Sequence, residues 1–297
     1  MYDVPITPDA FAALREARAA GPTRIGEVLA GRERRPFLRG DNRLFLVAAD
    51  HPGRGALAVG SDAMAMANRY ELLQRLTIAL SRPGVDGVLG TPDIIDDLAL
   101  LGLLDDKVVV GSINRGGLRG ASFEMDDRNT GYSIDGIGAA GLDAGKVLLR
   151  VNLADIGCVA TIESVANVVT ESAAAELPIL LEPFISNWVE GRIVNNLSTD
   201  AVITSIAIAS ALGTSSAYSW LKLPVVEDME RVMAATTLPT LLLGGDPQSR
   251  PEETYASWEK ALALPGVRGL VVGRSLLYPA DGDVARAVDT AASLVHA

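Results

Sequence analysis

Cysteine, histidine and lysine are the scarce residues of this chain, and each scarcity removes a class of chemistry. The single cysteine, Cys158, has no partner for an intrachain disulfide. That points to a reducing compartment, and the thiol reads as a small apolar filler. The two histidines, His51 and His296, are too few for an imidazole-rich zinc site. Any Ser-His-Asp or Cys-His arrangement would have to run through His51, because His296 is the penultimate residue. No metal and no cofactor is expected; the alternative, a magnesium site of Asp and Glu alone, would leave two strand lysines unexplained. Basic charge is also in deficit: the net charge of −11 leaves no basic face for nucleic acid or an anionic membrane. No run of apolar residues approaches the length of a membrane span. The start, "MYDVPITPDAFAALREARAA", lacks the basic head and apolar core of a signal peptide. The expectation is a cytoplasmic protein with no nucleic-acid or membrane partner.

What is present is a regular alternation. From residue 43 onward, short apolar runs are followed by a turn and then by an amphipathic segment. The runs are "RLFLVAAD" (43–50), "VDGVLG" (85–90), "KVVVGSIN" (107–114), "GKVLLRVN" (145–152), "PILLEPFI" (178–185), "YSWLKLPVV" (218–226), "PTLLLGGD" (239–246) and "GLVVGRSLL" (269–277). Short, continuously apolar runs bounded by Gly, Pro or Asp read as strands buried on both faces. Helices are expected between them, among them one capped by Ser61, one opening at Thr161 and one opening at Pro251. Eight such units over about 250 residues predict a single (β/α)8 barrel. A doubly wound sheet would want a G-x-G-x-x-G turn after an early strand, and "DHPGRGAL" is not one. Residues 1–42 fall outside the repeat and read as a helical N-terminal extension, with the barrel domain spanning 43–297.

Lysine returns here as the informative residue. It occurs only at Lys107, Lys146, Lys222 and Lys260, and Lys146 and Lys222 stand inside apolar strands. Burying an unpaired ammonium is expensive. In a barrel of this kind the site forms at the C-terminal strand ends, where Asp50, Asn114, Lys146, Glu182, Lys222, Gly244 to Asp246, Gly273 and Arg274 fall. Strand alternation puts Lys146 with Arg150 and Asn152 on one face, and Lys222 with Trp220 and Pro224. A structural ion pair would explain one inward lysine. Two inward lysines with two inward carboxylates, Asp50 and Glu182, ask for chemistry. A second cation or desolvation lowers a lysine pKa, and the neutral amine attacks a carbonyl to form a Schiff base, with a carboxylate moving protons. The glycines of "LLLGGDP" and "VVGRSLL", with an arginine, are the kind of turn that holds phosphate.

These motifs, in this order, resemble the class I aldolases of the deoxyribose-phosphate, fructose-bisphosphate and tagatose-bisphosphate group, most of all the lysine-dependent tagatose-1,6-bisphosphate type. "VAADHPGRGAL" resembles that family's A-x-D-x-R-G-x-L segment, with one extra residue in the turn. "DRNTGYS" is similar to its E-K-T-G-Y-D stretch and "DAGKVLLRVN" to its D-A-V-K-L-L-Y-Y strand. "PILLEPF", "SWLKLPV" and "VVGRSLL" follow in sequence. The resemblance implies Lys222 as the Schiff-base lysine, Lys146 as the second lysine, Glu182 as acid/base and Asp50 as a positioning carboxylate. It implies Arg54, Gly273 and Arg274 in substrate and phosphate binding, and the strand-end positions of His51, Asn114, Gly244 and Gly245 add these to the set. The seventh strand departs from the family by ending in "LGGD", which puts Asp246 where a phosphate is expected. The implied partner is a phosphorylated carbohydrate and the implied assembly a homo-oligomer. A transaldolase or isomerase using the same lysine, or a non-catalytic sugar-phosphate-binding barrel, is the alternative.

Overall fold

Strands that are apolar on both faces need cover on both, and a barrel closed within a ring of helices supplies it. The computed structural model describes residues 6–244 and 251–297. It opens with α1 (Pro8–Ala20) and α2 (Thr23–Gly31). Then come β1 (Leu44–Ala48), a 3-10 turn (His51–Arg54), α3 (Arg69–Leu80), β2 (Gly87–Gly90), α4 (Pro92–Leu100) and β3 (Val108–Ser112). The middle of the chain forms α5 (Ile134–Ala139), β4 (Ala144–Val151), α6 (Gly157–Ala174), β5 (Ile179–Val189), β6 (Arg192–Asn195) and α7 (Thr199–Ser210). It closes with β7 (Ser219–Pro224), α8 (Met229–Ala234), β8 (Thr240–Leu243), α9 (Pro251–Leu262), β9 (Val267–Val272), α10 (Arg274–Leu277) and α11 (Val284–Val295).

Eight strands are parallel, in the order β4-β3-β2-β1-β9-β8-β7-β5, and β4 pairs with β5 to close the ring. The expected (β/α)8 barrel is the fold. Alternation divides each strand between two cores. Leu44, Leu46, Ala48, Leu89, Val108, Val110, Ala144, Leu180, Leu241 and Val271 fill the barrel interior, with Trp220 packed on them. Phe45, Val47, Val109, Val147, Leu149, Leu181, Leu221, Leu223 and Leu270 face outward against the helices. Burying one such side chain contributes about 1.5–3 kcal/mol, and the two cores together hold the ring.

The N-terminal segment meets the lower end of the barrel. Arg32 donates to the Asp143 carboxylate at 2.7 Å and Arg35 to that of Asp86 at 2.5 Å, both carboxylates lying just before a strand. Between them Phe37 meets Trp220 edge to face, with ring centroids 5.3 Å apart, and stoppers the interior. The apolar floor leaves the opposite end as the place for polar groups.

Four local expectations need correction. Helix α3 begins at Arg69 and not after Ser61, because Asn68 caps it by accepting from the Tyr70 and Glu71 amides. Thr161 lies inside α6, and its hydroxyl instead donates to the Met125 carbonyl and accepts from the Asp127 amide. The strand read as 178–185 runs on to Val189 and turns back as β6. Glu190 and Gly191 both adopt positive φ, 49° and 73°, the conformation a two-residue hairpin turn requires. The last strand also stops at Val272, where α10 takes over.

Candidate active site

Each strand that carries a charged candidate carries it one alternation step beyond an interior apolar residue. Asp50 follows Ala48, Lys146 follows Ala144, Glu182 follows Leu180 and Lys222 follows Trp220. The parity that fills the lower barrel with hydrocarbon therefore aims these four inward at its upper end. They are buried, with 2% exposure for Asp50, 2% for Lys146, 4% for Lys222 and 9% for Glu182.

They form a row of alternating charge. The Lys222 Nζ donates to Glu182 Oε1 at 2.8 Å. Lys146 Nζ contacts the other Glu182 oxygen and lies 3.3 Å from Asp50 Oδ2. Asp50 in turn is paired with Arg115, a residue the sequence reading did not single out. Arg115 Nη1 donates to the Asp50 carbonyl at 2.9 Å and its Nε to Ser112 Oγ at 2.9 Å. Ser112 Oγ itself donates to Asp50 Oδ2 at 3.2 Å. Alternation along β3 after Val110 marks Ser112 as inward-facing. No periodic signal marks Arg115, which lies in the loop beyond the strand.

Burial and charge act against each other along this row. Burial pushes Asp50 up, but Arg115 and then Lys146 outweigh it and hold the carboxyl well below its usual range. Burial likewise opposes ionisation of Glu182, and the two lysines overcome it and bring it down to about 2. For Lys146 burial prevails over Asp50 and Glu182, and its pKa falls to about 8. An amine in that range exchanges its proton readily near neutrality, which suits it to acid–base work.

The remaining candidates divide. His51 opens the turn after β1, with Nδ1 3.8 Å from Asp50 Oδ1 and 27% of its side chain exposed. Burial, against the pull of Asp50, lowers it to about 3, so it is a neutral imidazole. Its ring lies against Gly273, where a Cβ would stand 3.1 Å from Cε1 and collide with the Ala48 carbonyl. Gly244 is packed against Val272 and Ser275 with no room for a side chain. Arg274 opens α10, with Nη1 3.4 Å from the Ala58 carbonyl. Gly245, with Asp246 and Arg250, lies outside the described residues.

Arg54 and Asn114 are not brought to the charged row. Arg54 is buried against Asp127 and donates to the carbonyls of Asn114 and Gly117. Asn114 donates to the Leu148 carbonyl at 2.6 Å and accepts from the Leu148 amide at 2.8 Å, clamping β3 to β4. Arg150 shares this second network, donating to Glu124 at 2.5 Å. Among the described residues no group of three or more His, Cys, Asp or Glu side chains is assembled to hold a metal ion, and no helix is long and apolar enough to cross a membrane.

Fold and site together define a (β/α)8 barrel that gathers two buried lysines around one glutamate at its C-terminal mouth. Within that class the chain belongs to the Cgl0159-like family, whose profile matches residues 42–292. The crystal structure of Cgl0159 from Corynebacterium glutamicum is 67% identical over 99% of both chains, with a TM-score of 0.97. An archaeal fructose-1,6-bisphosphate aldolase, solved with its catalytic lysine covalently bound to the carbinolamine intermediate of the substrate, is 18% identical. It covers 92% of this chain and 100% of its own, with a TM-score of 0.66. The fructose-bisphosphate aldolase of Slackia heliotrinireducens is 13% identical over 98% and 93% of the two chains, with a TM-score of 0.59. The two aldolases thus share the barrel fold of this chain. No match is found among curated proteins.

Proposed function

We propose that the protein is a Schiff-base aldolase that makes or breaks a carbon–carbon bond in a phosphorylated keto sugar or keto-sugar acid. The observation that carries this reading is the sharing of Glu182 by Lys222 and Lys146 at the dry upper end of the barrel. A lysine paired only for stability needs one carboxylate, whereas two lysines on one carboxylate leave a proton easily moved.

In this reading the Lys222 ammonium gives its proton to Glu182 and the amine attacks the substrate carbonyl. The carbinolamine oxygen leaves as water with a proton returned from Glu182, giving an iminium. The Lys146 amine takes the proton of the sugar hydroxyl, whose oxygen becomes the aldehyde carbonyl. The broken carbon–carbon bond then supplies the electron pair that neutralises the iminium as an enamine. Glu182, replenished by Lys146, delivers a proton to the enamine carbon, and water releases the ketone from Lys222. Asp50 orients a substrate hydroxyl. Gly244, Gly273 and Arg274 hold the anionic end, and neutral His51 offers a hydrogen bond without charge. The substrate class is a ketose phosphate of the fructose or tagatose kind. The enzyme works in the cytoplasm without a metal ion, so a chelator leaves activity unchanged.

Borohydride trapping tests the proposal. The protein is incubated with dihydroxyacetone phosphate, reduced and digested, and the added mass is located. The expected result is an adduct on the peptide holding Lys222 that is absent from Lys222→Met. An adduct on Lys146 would exchange the roles of the two lysines. No adduct with dihydroxyacetone phosphate or with unphosphorylated keto acids would refute the Schiff-base reading.

A further inference from the structure

We propose that Arg115 is a positioning residue that occupies Asp50 and so eases the loss of a proton from the lysines that share Glu182. The inference deepens the Schiff-base reading, since that mechanism needs an amine free of its proton.

The argument starts from parity of charge. Among the described residues, the charged groups that act on Lys146 include Asp50 beyond β1, Arg115 beyond β3, Glu182 on β5 and Lys222 on β7. With Arg115 left out, the row holds two lysines and two carboxylates. Lys146 would pair with Asp50, Lys222 with Glu182, and each ammonium would be fully compensated. Two neutral pairs give neither lysine a reason to release a proton.

Arg115 makes the count odd. Its side chain is 9% exposed and ion-paired with Asp50. It also donates to the Asp50 carbonyl and to Ser112 Oγ, so its guanidinium is fixed in orientation, not merely close. A guanidinium does not deprotonate in a protein, so a proton released from these groups comes from a lysine. Glu182 then serves two ammonium groups, one of which also reaches Asp50 at 3.3 Å. Burial is the largest cause of the lowered Lys146 pKa, and the neighbouring cations Lys222 and Arg115 add to it. The fold makes room for this arginine. A Cβ on Gly53 would lie 3.1 Å from Arg115 Cδ, so the turn after β1 needs its glycine for the side chain to reach Asp50.

The chain has four lysines, which makes the test direct. Lysine labelled with carbon-13 at Cε gives four NMR signals, and Lys146→Met and Lys222→Met assign the two site lysines. In the wild type one of these should titrate near pH 8. In Arg115→Met its midpoint should rise by at least one pH unit, while Arg115→Lys, which keeps the charge, should hold it low. A merely structural arginine would leave the midpoint where it was, and a midpoint unchanged within about 0.3 in folded Arg115→Met would overturn the proposal. If Arg115→Met does not fold, Asp50→Asn serves instead. Removing that carboxylate should lower the midpoint further, and an unchanged or raised midpoint would refute the charge count. The titration uses no substrate, so it can succeed or fail whatever the trapping experiment shows.

Discussion

Replacing Lys146 by methionine should abolish turnover yet leave the protein at least as stable at pH 7, and the two effects share one cause. A buried lysine whose pKa has dropped from 10.5 to about 8 is charged in both folded and unfolded chains below pH 8, and that charge is held in the folded state at a loss. The interval between 10.5 and about 8, at about 1.4 kcal/mol per pH unit, amounts to about 3 kcal/mol. The sign follows from proton binding. Between pH 8 and 10.5 the unfolded chain holds more protons than the folded one, so wild-type stability gains with rising pH and the loss is relieved. In Lys146→Met the row becomes two compensated pairs, Lys222 with Glu182 and Arg115 with Asp50. That term then vanishes. Methionine fills a similar volume, so cavity formation adds little. Urea unfolding of both proteins at pH 7, 8.5 and 10 gives the comparison. The stability of wild type relative to the variant should climb by about 2–3 kcal/mol from pH 8 to pH 10. A gap that stays constant with pH, or a variant several kcal/mol less stable already at pH 7, would show that Lys146 is an ordinary, fully paired ammonium.

Two further outcomes separate support from chemistry. Arg54→Lys should cost about 2–4 kcal/mol in chemical denaturation, because a lysine cannot reproduce the fork on Asp127 and two carbonyls. Adduct formation at Lys222 should survive it, and loss of the adduct with stability intact would return Arg54 to the site. Gly269→Ala should cost about 3 kcal/mol or more, since φ there is 143° and a Cβ would collide with the Leu44 carbonyl where β9 pairs with β1. A thermal midpoint equal to wild type would show that the strands can part there without loss.

The two kinds of periodicity explain how much of this was legible in the chain. Strand parity is a property of the backbone itself, so an inward apolar residue two positions before Lys146, Glu182 or Lys222 sufficed to aim each side chain at the mouth. The barrel was legible for the same reason, since continuously apolar runs demand cover on both faces. Loop geometry offers no such rule. Arg54, in the turn after Asp50, pairs with Asp127, and it is Arg115, from a loop beyond β3, that stands beside the Asp50 carboxylate. The β5–β6 hairpin was missed at a Glu-Gly pair whose turn needs positive φ at both positions, which glycine accepts freely and glutamate does not.

The sequence by itself determined the barrel, the floor of hydrocarbon beneath it and the four ionisable groups that face its open end, because all three follow from alternation along single strands. Only the tertiary structure decided which charge meets which. Distances between side chains from different strands depend on how the ring closes and where the loops fold back, and Coulomb energies in a buried site change steeply over those few ångströms. The sharing of Glu182 by two lysines, the pairing of Asp50 with Arg115 and the lowered pKa of Lys146 belong to that closure.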